Sequence, residues 1–108
     1  MEINLPEPVA NYFAADALHD DNKLRLCFTS NAVVHDENED HRGIEAILSW
    51  RKDVKSKYQY TVEPIEAKLD GQTFKLKALV AGNFPGSPVE LDYSFKLEGD
   101  RIAGLEIE

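Results

Sequence analysis

A second cysteine is missing from this chain, so Cys27 has no partner and no internal disulfide framework can form. Long apolar runs are missing too: no stretch approaches the roughly 20 residues of a membrane span. Met1-Glu2-Ile3-Asn4 has neither a basic region nor an apolar signal core. Together these absences predict a cytoplasmic location. Basic charge is scarce, with 12 Lys and Arg against 20 Asp and Glu and a formal net charge of -8. Nucleic acid and anionic membranes need a concentrated basic face, so neither is an expected partner. There is no internal repeat, low-complexity tract or linker.

What is present fits one domain spanning residues 1–108, with 43% hydrophobic residues to supply a single core. Pro6 and Pro8 stand where a first helix can begin. Val9/Ala10, Phe13, Ala14, Ala17 and Leu18 then recur at helical spacing as its buried stripe, with Tyr12 and Asp16 sharing an edge. A short second helix is capped by Asp20 or Asp21 and points Leu24, Cys27 and Phe28 inward. Ala32-Val33-Val34-His35-Asp36-Glu37 is an apolar, β-branched run that ends in ionisable residues, and it reads as a buried strand. Its period of two puts Ala32, Val34 and Asp36 on one face and Val33, His35 and Glu37 on the other.

Asn38-Glu39-Asp40-His41-Arg42 reads as a polar loop, and Gly43 introduces a third helix. Ile44, Ile47, Leu48, Trp50, Val54 and Tyr58 mark its buried side, with Arg51, Lys52, Lys55 and Lys57 as a solvated basic face. Beyond Tyr58 the period becomes strand-like. Tyr60 to Leu69 is one strand, Asp70-Gly71 a hairpin turn, and Phe74, Leu76, Ala78 and Val80 the inward side of the next. Residues 82–88 form a loop dense in Gly and Pro, with Phe84 placed to cover a pocket mouth. Val89, Leu91, Tyr93, Phe95 and Leu97 alternate cleanly with polar residues, and a last strand shows Ala103, Leu105 and Ile107 to one side. The class is therefore α+β: a curved antiparallel sheet wrapped around the long third helix, with the N-terminal helices enclosing a pocket. Its exposed sheet face predicts a homodimer.

Three polar groups fall on otherwise apolar faces: Tyr12, Asp36 and Tyr93. A desolvated aspartate is a stronger base than one in water, and two phenols aimed at one oxygen stabilise developing negative charge. The combination suits proton transfer next to a carbonyl, with Asp36 as base and Tyr12 and Tyr93 as oxyanion donors. Asp16, His41, Trp50 and Phe84 are candidate ligand contacts around them. Each residue also has a plain structural reading. Either tyrosine can be core packing, and Asp36 can accept bonds from the adjoining loop or pair with Arg42. His35, His41, Asp40 and Glu37 are suitable metal ligands, but their spacing matches no metal-binding pattern, so neither metal nor cofactor is expected.

Tyr12-Phe13-Ala14-Ala15, Cys27-Phe28 through Ala32-Val33-Val34-His35-Asp36, and Arg42-Gly43-Ile44-Glu45-Ala46-Ile47 carry a resemblance that Tyr93-Ser94-Phe95-Lys96-Leu97-Glu98-Gly99-Asp100-Arg101-Ile102 completes. The chain resembles the nuclear-transport-factor-2-like superfamily, in the branch with SnoaL-like proteins and ketosteroid isomerases. The resemblance implies a conical α+β roll with an apolar pocket, usually in a homodimer. It also implies an oxyanion tyrosine at Tyr12 and a proton-shuttling aspartate at Asp36. Where such isomerases place a protonated aspartic acid this chain has Tyr93, which speaks against steroid isomerisation itself. Three readings follow: an isomerase, cyclase or lyase acting on a small apolar carbonyl compound; an apolar-ligand binder without chemistry; or a dimeric interaction module.

Overall fold

The computed structural model describes residues 5–18, 20–36 and 38–108. Two helices, α1 (Glu7–Leu18) and α2 (Asp21–Cys27), lead into strand β1 (Phe28–Asp36) and a short β2 (Glu39–Arg42). Helix α3 (Ile44–Lys57) follows, and then β3 (Tyr60–Asp70), β4 (Thr73–Gly82), β5 (Val89–Glu98) and β6 (Arg101–Ile107). The six strands form one curved, unclosed sheet in the order β2-β1-β6-β5-β4-β3. The architecture is α+β, with the helices on the concave side.

Local chemistry explains most element ends. Asp20 caps α2 by accepting from the Lys23 backbone N–H at 3.1 Å. The β3–β4 hairpin turns with Gly71 at φ 60°, and β3 runs one residue past Leu69 to pair Asp70 with Thr73. Gly82 is needed for close approach, because a Cβ there would lie 2.1 Å from the Gln59 carbonyl oxygen. The concave face carries the core: Phe74, Leu76, Ala78 and Val80 from β4, Tyr93 and Phe95 from β5, and Val34 from β1 pack under Val9, Tyr12, Phe28 and Ile47.

Five expectations are corrected. The sheet is mixed, since β1 runs parallel to β6 through Val33–Gly104 and Val34–Leu105. No hairpin joins these two strands, so no turn dictates their direction. The polar segment after β1 is partly strand, with Glu39–Arg42 pairing back onto β1 as an exposed edge. Asn38 at φ 64° makes the turn, and Glu37 lies outside the described residues. The buried stripe of α1 is one residue, or about 100°, around from the expected one. Val9, Tyr12, Ala15 and Asp16 are buried while Ala10, Ala14, Ala17 and Leu18 are exposed. In β6 a bulge opposite Lys96 and Leu97 reverses the alternation, so Ile102 and Leu105 are buried in place of the even Ala103-Leu105-Ile107 series. Fifth, Arg51 is buried and not part of a solvated basic face.

Candidate active site

A cavity of about 750 Å³ opens between α3 and the concave face of the sheet. Arg51, Val54 and Tyr58 line it from the helix side, Tyr60, Val80, Val89, Leu91 and Tyr93 from the strands, and Phe84 and Pro85 from the loop. His35, Asp36, Asn38, Ile107 and Glu108 stand at the end where β1 and β6 finish. Such a volume and an apolar wall interrupted by a few polar groups are what a small-molecule site requires.

Asp36 is half-buried at the end of β1, as the alternation predicts. Its Oδ2 accepts a hydrogen bond from Trp50 Nε1 at 3.0 Å, which fixes the carboxylate and leaves Oδ1 free of bonds to the described residues. Trp50 is itself held. His41 stacks on it with ring centroids 5.6 Å apart, and the Arg51 guanidinium carbon lies 4.6 Å from its ring centre. Tyr93 is 5% exposed, stacked on Phe95 at 6.0 Å and met edge-on by Phe13. Burial pushes its phenol above the ordinary range, with the neighbouring Tyr60 adding to the effect, so it presents an O–H donor at neutral pH.

Tyr12 is placed differently from Asp36 and Tyr93. It is 2% exposed and caged by Phe13, Phe28 and Phe95 in edge-to-face contacts, and it is not part of the cavity lining. Asp16 likewise lies in the core, at 6% exposure. His41 reaches the site only through Trp50, whereas Phe84 lies at the wall and touches Tyr58 edge-on.

The sequence reading placed Arg51 on a solvated face, and this is corrected: Arg51 is 4% exposed. Its Nε donates to Asp16 Oδ1 at 2.9 Å, and Nη2 donates to the same oxygen and to the Tyr60 hydroxyl. Tyr60 in turn donates to Asp16 Oδ2 at 3.2 Å, and Lys55 Nζ stands 3.6 Å from that oxygen. The cation that satisfies Asp16 is thus on the cavity wall. Tyr60, which carried no expectation, lines the cavity beside it. The signal for Arg51 was in its spacing, because Ile47, Arg51, Val54 and Tyr58 follow one another by four, three and four residues along one helix face.

At the cavity's rim, His35 Nδ1 and Asp40 Oδ1 are 2.6 Å apart. That hydrogen bond raises the His35 pKa and lowers that of Asp40. Although strand alternation turns His35 from the inner face, it reaches the rim because β1 ends there.

No family model matches the sequence, and neither does any curated protein. Solved structures do. A candidate polyketide cyclase from Sinorhizobium meliloti superposes with a TM-score of 0.92 at 45% identity, over 96% of this chain and 95% of that one. A ketosteroid-isomerase-like protein from Catenulispora acidiphila, solved with trimethylamine, gives a TM-score of 0.83 at 20% identity over 97% and 86%. A nuclear-transport-factor-2-like protein of unknown function from Cytophaga hutchinsonii gives 0.73 at 16% over 100% and 91%. The chain belongs to the nuclear-transport-factor-2-like superfamily. This superfamily member has the roll and the concave-side cavity anticipated from its sequence, and its neighbours include a candidate cyclase and an isomerase-like fold. Among its described residues no helix is long and apolar enough to cross a membrane.

Proposed function

We propose that the cavity binds a small, largely apolar carbonyl compound and that Asp36 moves a proton from the carbon beside that carbonyl. Asp36 Oδ1 takes the proton as the C–H bond breaks, the electron pair moves onto the carbonyl oxygen, and the Tyr93 hydroxyl donates to the resulting enolate. In a chain bearing a second carbonyl, the enolate carbon attacks it to close a ring. The new alkoxide then recovers the proton from Asp36, so the base is regenerated. Ring closure of this kind suits the similarity to a candidate polyketide cyclase at 45% identity.

The observation that carries the reading is the Trp50–Asp36 bond at 3.0 Å. It occupies one carboxylate oxygen and leaves the other open in a cavity that Asp36 and Tyr93 both line. The test is hydrogen–deuterium exchange at the α-carbon of a bicyclic ketone such as 2-tetralone, followed by proton NMR in D₂O. The wild-type chain is expected to accelerate exchange, and Asp36→Asn to lower the enzymatic rate by about 100-fold or more. Equal rates in the two proteins, or ketones that bind without any accelerated exchange, would leave a binding cavity without chemistry.

A further inference from the structure

We propose that the ligand of this cavity carries an anionic oxygen, a carboxylate or an enolate, and that Arg51 Nη1 holds that oxygen together with the Tyr93 hydroxyl. The inference rests on the proton-transfer reading in one respect only: it names the ligand class of the same cavity.

A guanidinium has five N–H groups and no acceptor. In Arg51, Nε donates to Asp16, and the two hydrogens of Nη2 go to Asp16 and Tyr60. The two hydrogens of Nη1 bond to no described residue. Yet among the described residues no buried side-chain nitrogen or oxygen lacks a partner, so Nη1 keeps access to open space. Arg51 lines the cavity from the helix side, opposite Tyr93 on the strands. Tyr60 is no competitor for the ligand, since its single proton goes to Asp16 at 3.2 Å. Two donors therefore remain free for a ligand oxygen, Nη1 and the Tyr93 hydroxyl.

Charge points the same way. Asp16 faces two cations, Arg51 within hydrogen-bond reach and Lys55 at 3.6 Å, so the cluster keeps one positive charge. Surplus positive charge on a mostly buried wall favours an anion far more than the same charge on the surface would. Asp36 shares the cavity, and its own charge vanishes as it takes up the proton. The oxyanion therefore appears next to Arg51 as the competing negative charge is removed. A rigid, fully ionised fork held by Asp16 and Tyr60 suits this role, because no side-chain freedom is lost when the ligand arrives.

Arg51 also borders a smaller hollow of about 300 Å³ that includes Lys52 and Lys55, and the test separates the two. Binding of 2-naphthoate and 2-methylnaphthalene, one shape with and without the charged oxygens, is measured by calorimetry at neutral pH. A charged hydrogen bond predicts that wild type prefers naphthoate by about 10- to 100-fold. Arg51→Met removes that preference while methylnaphthalene still binds, Tyr93→Phe reduces it, and Lys52→Ala leaves it unchanged. Equal wild-type affinities, a preference that survives Arg51→Met, or one lost in Lys52→Ala but kept in Tyr93→Phe would each overturn the proposal. Should Arg51→Met fail to fold, the wild-type Arg51 Nη resonances decide: they shift on adding naphthoate, and their failure to move refutes the assignment. Neither probe has an exchangeable α-carbon proton, so this result and the 2-tetralone exchange can fail independently.

Discussion

Replacing Asp16 by Asn tests whether the buried pair is what holds α1 to α3. The change preserves shape but removes the anion that Arg51, Lys55 and Tyr60 all address. Arg51 is 4% exposed, so it would stay buried as an uncompensated charge with a second cation close by. Breaking a buried pair from one side costs about 3–5 kcal/mol. For 108 residues, an unfolding entropy of about 2.1 cal/mol/K per residue converts this to a fall in Tm of about 13–22 °C. Arg51→Met should cost less, about 1–3 kcal/mol, because Asp16 keeps the Tyr60 hydroxyl at 3.2 Å and Lys55 at 3.6 Å. Joining Asp16→Asn to Arg51→Met removes both charges and should cost less than the two single changes summed. The assay is urea unfolding followed by far-ultraviolet circular dichroism, with all variants in one cycle. A loss below about 1 kcal/mol for Asp16→Asn, or single effects additive within about 0.5 kcal/mol, would refute the reasoning.

The rim pair makes a pH prediction. The His35 pKa is raised and the Asp40 pKa lowered by their shared bond, so the pair stabilises the fold between the ordinary carboxylate and imidazole ranges. That stability is lost as pH rises through the folded His35 pKa or falls through that of Asp40. NMR titration of His35 should show its pKa drop in Asp40→Asn; an unchanged midpoint would contradict the geometry. Burial raises the phenol pKa values of Tyr12, Tyr60 and Tyr93, so above pH about 10 the unfolded chain releases protons that the folded one keeps. Stability should then fall with pH by about 1.4 kcal/mol per pH unit for each such phenol, and Tyr12→Phe should flatten that slope. Equal alkaline slopes in the two proteins would count against it. Pairing of two chains through the outer sheet face, proposed from the exposure of that face, calls for a sedimenting mass twice 12.2 kDa; a single-chain mass at micromolar concentration would exclude it.

What could be read in advance followed from regular periods. The alternation over β5 puts Tyr93 and Phe95 inside, and Asp36 falls on the inner face of β1 by parity with Ala32 and Val34. The Asp20 cap and the inward Leu24 and Cys27 of α2 needed only local rules. The errors came where a distant residue decides. Residues 39–42 have no strand pattern, and the segment is extended because the neighbouring β1 offers backbone partners. Helix α1 turns its Asp16 inward, where Arg51, 35 residues along the chain, compensates its charge. Arg51 sits among lysines in sequence and looks like one of a charged set, although its helical position matches Ile47 and Val54. Tyr12 was expected beside Asp36, but α1 presents it to Phe28 and Phe95 instead.

The bond between Trp50 and Asp36 has an optical consequence. Trp50 is the only tryptophan in the chain, so all indole emission comes from one ring touching the proposed base, Arg51 and His41. An indole whose N–H is tied to a carboxylate responds to any loss of that charge or displacement of that group. The chain therefore carries its own unlabelled reporter, and a compound library can be read against Asp36 by fluorescence before any substrate is known.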